Sequence, residues 1–280
     1  MAGSNDAPII SVSQHAYELS KVLGELFYES PTGYEAPEQL ESCLQAANWL
    51  NIAAGILSVS LDTSRYDESI MYCGRAAEYE DKNTELMKDW IAQLVIFGMI
   101  WNAFERIGRY INPVSIPKEI KTRRTPISDL LYFLTKASYC DPIIPYYSRA
   151  LNDLRRLLEV ERGVPSVSQI FTKPEYIDHK SLGAHVVRTI RNELAHGDRY
   201  LPIPEDWGVD KSLTEQEALH GQLISASSRI LLVTIQMLLM SILGTSDVEI
   251  SDPRGYDDDS AYKVVYNLHL DDPYPDANSD

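Results

Sequence analysis

The residues best equipped for chemistry lie in the stretch His185–Tyr200, HVVRTIRNELAHGDRY. A helix running through it should stop at Gly197, because glycine accepts the left-handed backbone that ends a helix without a Cβ penalty. On a wheel of 100° per residue, Leu182, Val186, Ile190 and Leu194 face a core, and His185, Arg188, Asn192 and His196 form a polar stripe on the other side. Asn192 and His196 are neighbours one turn apart, whereas Arg191 lies about 140° away from His196. One straight helix cannot easily bring Arg191 and His196 onto the same phosphate. Either the helix end unwinds or a second copy of the motif faces the first, so the geometry implies a homodimer.

Arg191, Asn192 and His196 are the catalytic candidates, because these residue types suit RNA cleavage without a metal. The nucleophile is already in the substrate as the neighbouring 2′-hydroxyl. Histidine moves a proton near neutral pH. Arginine offers a forked, permanently charged donor set to phosphoryl oxygens as charge develops on them. Asn192 can fix the imidazole or bind a phosphate oxygen. With 15 Arg and 6 His in 280 residues, an Arg-x4-His pair is expected by chance about 0.3 times, and requiring Asn after Arg lowers that to roughly 0.01. A helix-capping histidine beside surface arginines remains the alternative.

The segment resembles the signature of the HEPN family, whose members share a helical bundle with Arg-x(4 to 6)-His, usually with a polar residue after the Arg. Here that reads Arg191, Asn192, three residues, His196, Gly197. Trp101-Asn102-Ala103-Phe104-Glu105 is similar to the Trp-plus-acid pattern often seen on the upstream long helix of such domains. The likeness is carried by 178–200, extends through 84–244 and leaves out 1–80 and the C-terminal segment. It implies a metal-independent endoribonuclease, working as a dimer with both motifs in one cleft, of the kind found in toxin–antitoxin and phage-defence systems. RNA and an antitoxin or other defence partner follow as expected partners. Glu105, with Arg188 and Tyr200, would support the site, Glu105 by orienting Arg191 or a nearby base. Family members regulated by a nucleotidyltransferase antitoxin carry Tyr two residues after the His. This chain has Asp198 there and Tyr200 two further on, which puts that regulation in doubt. A HEPN-like domain without nuclease activity, binding a nucleotide or a protein, is the competing reading.

Charge narrows where nucleic acid could bind. The formal net charge is −16, from 25 basic and 41 acidic side chains, so no uniform positive field covers the molecule. Residues 1–117 carry 7 basic and 16 acidic side chains, 118–199 carry 14 and 10, and 200–280 carry 4 and 15. The basic middle third holds Lys118, Lys121, Arg123 and Arg124, then Arg155 and Arg156, as RNA-binding candidates. They are either solvated helix faces or a local phosphate-binding surface.

The elements that must position these residues are helical. Periodicity predicts an all-α, multi-helix bundle with helices over 12–29, 37–60, 66–80, 84–110, 127–138, 145–161, 178–197 and 213–243. In the fourth, Trp90, Leu94, Phe97, Trp101 and Phe104 recur at steps of four and three, which predicts a long, central, buried helix. Asn112–Pro126, with three prolines and a basic run, reads as an exposed loop. The last helix starts at Ser212 with Glu215 in capping-box spacing and stops at Gly244. Its apolar centre, Ile230–Leu243, falls short of a membrane span, so a core or dimer-interface helix is expected and no membrane contact. The organisation expected is an N-terminal helical region (1–80), a bundle carrying the motif (81–250) and an acidic tail (251–280). Within that tail the alternating run Tyr262–Leu270 suggests a strand or small hairpin.

Other chemistries find little support. Cys43, Cys73 and Cys140 are odd in number and far apart, which argues against a disulfide framework or a zinc site. His179, His185 and His196 lack the i, i+4 metal spacing, so no metal is expected. Neither a P-loop nor G-x-S-x-G occurs, and no cofactor is called for. Met1–Ala7 has no signal-peptide character, so the expected location is the cytoplasm. Tyrosine outnumbers phenylalanine 17 to 5, supplying either base-stacking surfaces or half-buried bundle positions.

Overall fold

The computed structural model describes residues 8–29, 37–66, 71, 73–111, 126–135, 143–160, 170–171, 180–198, 201–202, 212–244 and 248–272. The fold is all-α, with one two-stranded sheet among the described residues.

Helix α1 (Val12–Glu29) starts where Ser11 Oγ accepts from the Gln14 amide at 3.1 Å. It buries Leu19, Leu23 and Leu26 on one stripe. Helix α2 (Pro37–Gly55) opens on proline, whose missing amide costs nothing at a first turn. It packs on α1, and the Cys43 thiol donates to the Leu23 carbonyl at 3.4 Å. α2 stops at Gly55, short of the expected 60.

Helix α3 (Gly74–Ile111) joins two expected helices into one of 38 residues. Asp81–Asn83 holds neither glycine nor proline, so nothing there breaks the hydrogen-bond ladder. α3 therefore runs unbroken through residue 80. Its burial is confined to the C-terminal half, Ala92 to Tyr110, with Ile100, Phe104 and Ile107 fully enclosed.

Helices α4 (Pro126–Thr135), α5 (Pro145–Val160) and α6 (Leu182–His196) follow. Then comes α7 (Ser212–Leu243), which packs on α1, α3, α5 and α6 and is the central element. Its stretch Gly221–Leu243 is long and apolar enough to cross a bilayer, more than the sequence reading allowed, yet 89% of the apolar window is buried inside the fold. One continuous hydrophobic core runs from Ala16 to Leu268.

The C-terminal segment is packed rather than trailing as far as residue 272. Strands β1 (Glu249–Ile250) and β2 (Asp259–Ser260) pair antiparallel, Glu249 opposite Ser260 and Ile250 opposite Asp259. The run expected as a strand forms helix α8 (Ala261–Asn267) instead, capped by the Ser260 hydroxyl, which accepts from the Lys263 amide at 3.4 Å. Ala261, Val264, Val265 and Leu268 are buried, so helical spacing outweighs the alternation of two also present in this run.

Buried charge ties the two chain ends together. Arg229 on α7 donates to the Ile10 carbonyl at 2.6 Å and lies 3.2 Å from His15 Nδ1. Arg254 holds both oxygens of Asp252 at 3.0 Å, the Leu270 carbonyl at 2.9 Å and Glu18 at 3.7 Å. Burial and the nearby Arg229 push the His15 imidazole well below its ordinary pKa, and the same two causes hold His269 at about 4.

Candidate functional site

The motif helix α6 is held at both ends. At its start, Ser181 makes no side-chain cap, and the Tyr147 hydroxyl of α5 does the work instead. It accepts from the Gly183 amide and donates to the Lys180 carbonyl, both at 2.8 Å. At its end Gly197 adopts φ 74°, and the Asp198 amide closes on the Glu193 carbonyl at 2.9 Å, as the sequence predicts. Leu182, Val186 and Ile190 are buried as expected. Glu193, next to Asn192 on the helix, is buried too.

On α3, Trp101 and Glu105 are one turn apart, and the indole Nε1 donates to Glu105 Oε1 at 2.8 Å. The Arg191 guanidinium lies over the Trp101 ring, 5.7 Å from its centroid. That contact orders a long exposed side chain without using up its donors. Arg191 Nη1 also faces Asn192 Oδ1 at 3.4 Å.

These residues meet in a groove of about 240 Å³ between α3, α4 and α6. Trp101, Glu105, Gly108 and Arg109 line it from α3, and Arg188, Arg191 and Asn192 from α6. Ile127 and Leu130 of α4 give it an apolar side. A Cβ on Gly108 would stand 3.0 Å from Leu130 Cδ2, so glycine lets α4 come close enough to close the groove. Among the described residues, Arg109 and Arg188 have no hydrogen-bond or ion-pair partner, which leaves their donors for a ligand. Glu105 is the one carboxylate in the lining, and its Oε1 is already engaged. Three guanidinium groups beside one carboxylate give the groove the chemistry to hold an anion.

The sequence expectations fare differently. Arg191, Asn192, Arg188 and Glu105 are brought together. Among the described residues Glu105 makes no ion pair with Arg191, and its Oε1 accepts from the indole. It fixes instead the ring on which Arg191 lies. His196 is exposed on the last turn of α6 and does not line the groove. Among the described residues it has no partner, so Asn192 does not hold the imidazole and turns to Arg191. Arg155 pairs with Glu159 at 2.9 Å, and Arg156 is 81% exposed beside Asp153. Neither lines the groove. Lys118, Lys121, Arg123, Arg124 and Tyr200 lie outside the described residues. Arg109 was missed, although the four-residue steps Trp101, Glu105, Arg109 put it on the same stripe.

Among the described residues, no three His, Cys, Asp or Glu side chains converge as a metal site. No protein family, no curated protein and no solved structure matches this chain.

Proposed function

We propose that this protein is a HEPN-like, metal-independent endoribonuclease whose α3–α6 groove binds the RNA backbone. The observation carrying the reading is the convergence of Arg188, Arg191 and Asn192 from the motif helix on the Trp101–Glu105 pair of α3. These are the two segments singled out by the resemblance, and they meet although about ninety residues separate them. The 2′-hydroxyl oxygen attacks the adjacent phosphorus, its proton passes to a base, and the bond to the 5′-oxygen breaks as that oxygen takes up a proton. The products are a 2′,3′-cyclic phosphate and a 5′-hydroxyl. Arg191 stabilises the charge growing on the phosphoryl oxygens. His196, on the Asn192 side of α6 and one turn on, transfers the proton. Its distance from the groove lining is the reason to assign a homodimer, in which a partner's imidazole completes the site.

Total RNA incubated in EDTA with the wild type and with His196→Ala tests this. Cleavage by wild type alone, leaving cyclic-phosphate ends, is the expected result. A second reading, a nucleotide- or protein-binding domain without nuclease activity, is favoured by the exposed, unpartnered state of His196. It predicts no cleavage by either protein and loss of ligand binding in Arg191→Ala. A toxin or phage-defence role, with an antitoxin or other partner, belongs to the first reading.

A further inference from the structure

We infer that the groove grips two consecutive phosphates of a single strand, and that Arg109 is the positioning residue for the second. The inference rests on the reading of the groove as an RNA site. Arg191 lies over Trp101, near one end of the α3 lining, and Arg109 stands eight residues further along the same helix. That sets the Trp101 and Arg109 backbones about 12 Å apart along the axis, so Arg191, lying over Trp101, and Arg109 enter the groove from different points. Arg188 joins them from α6. Three guanidinium groups therefore face one carboxylate, and that carboxylate already accepts from the Trp101 indole. A single phosphodiester, with one negative charge, would leave the surplus uncompensated. Two phosphates in series match the charge.

Ile127 and Leu130 back this lining but are buried, 8% and 0% exposed, so recognition runs through the phosphates. The chemistry recognised is thus a short stretch of single strand rather than a mononucleotide. The substrate phosphate at Arg191 is the one to be cleaved, and its neighbour is held at Arg109. Arg109 contributes to holding the strand and not to the bond-breaking step.

The test uses the full chain and two 2′-O-methyl probes, UpU with one phosphate and UpUpU with two, followed by fluorescence anisotropy. Arg109→Ala should weaken UpUpU binding on the order of tenfold and leave UpU unchanged. The slope of log affinity against log salt for UpUpU should fall by about 0.7, the value of one lost phosphate contact on a single strand. Arg109→Lys should restore most of the slope, which a merely structural defect would not allow. On cleavable RNA the same variant should raise KM and spare kcat. Equal loss for both probes, or no change for either, overturns the inference. Arg109-dependent binding of UpUpU without any cleavage upholds it and sinks the nuclease reading. Cleavage that ignores Arg109 does the reverse.

Discussion

Replacing Tyr147 by phenylalanine probes how the motif helix is held. Tyr147 is 3% exposed, and its hydroxyl stands between the Gly183 amide and the Lys180 carbonyl at 2.8 Å each. The Gly183 amide belongs to the first turn of α6, where no helical carbonyl can reach it. Phenylalanine keeps the ring and its packing but leaves the amide buried without an acceptor, at a cost of about 2 kcal/mol. Spread over the unfolding entropy of a chain of this length, that lowers Tm by roughly 3 °C. A partner substitution sharpens the test. A Cβ at Gly183 would lie 2.8 Å from both the Tyr147 hydroxyl and Ile230 Cγ2, so Gly183→Ala should cost about 1–3 kcal/mol on its own. In the double variant the hydroxyl clash is gone and the Ile230 contact and the ring Cε2 at 3.3 Å remain, so the two costs should sum to more than the double variant loses. Calorimetry and urea unfolding of the four proteins give the cycle. A Tyr147→Phe protein that melts within 1 °C of wild type, or strictly additive costs, would refute the capping role.

Acid should loosen the junction of the chain ends. His15 and His269 are depressed by burial beside Arg229, so the stability they contribute is complete above pH 6.5 and drains away as pH falls, for His269 down to about 4. For His269 alone that is about 3 kcal/mol across the interval, and Glu18, raised by burial, acts in the opposite sense within the same interval by taking up its proton earlier in the folded state. Tm measured from pH 7 to pH 4 should fall, and His269→Gln should flatten the curve. A wild-type Tm independent of pH over that range counts against it. In the groove, Trp101→Phe removes the donor to Glu105 and frees its carboxylate to capture Arg191. RNA affinity should drop about fivefold, ~1 kcal/mol, and adding Glu105→Gln should recover it. No recovery in the double variant would show that the indole itself, rather than the freed carboxylate, matters.

The parts of the site that were legible in the sequence are those written locally. Gly197 ends α6 because its own backbone conformation decides the matter, and Trp101 and Glu105 pair because they are four residues apart on one helix. Arg109 escaped notice because charge summed by thirds of the chain places it in the acidic first third. Its stripe with Trp101 and Glu105 matters only once α6 lies alongside. The Tyr147 cap was invisible for a related reason, since the donor and its hydroxyl partner are 36 residues apart. The C-terminal run carried two periods at once, and the Ser260 cap and an apolar face against α7 selected the helical one. Nothing local announces that Arg229 will meet His15 and Ile10, 214 and 219 positions away.

An acidic chain can still bind an anion, because the arginines here divide into two sets with different fates. Arg229 is buried and Arg254 largely so, its side chain 10% exposed, and they spend their donors on Ile10, Leu270, His15 and Asp252. Removing a buried charge from water is costly unless such partners are supplied, so these two belong to the fold. Arg109, Arg188 and Arg191 sit at the groove with solvent access and face one engaged carboxylate. At physiological ionic strength the Debye length is about 8 Å, so acidic side chains more than that distance from the groove act on a ligand only weakly. The local count of three cations to one anion then governs the groove, and the overall −16 governs the approach to it. Lowering the salt to 0.01 M stretches the Debye length to about 30 Å and lets the acidic body repel the strand. Its affinity should therefore gain less on dilution of salt than two phosphate contacts alone would give.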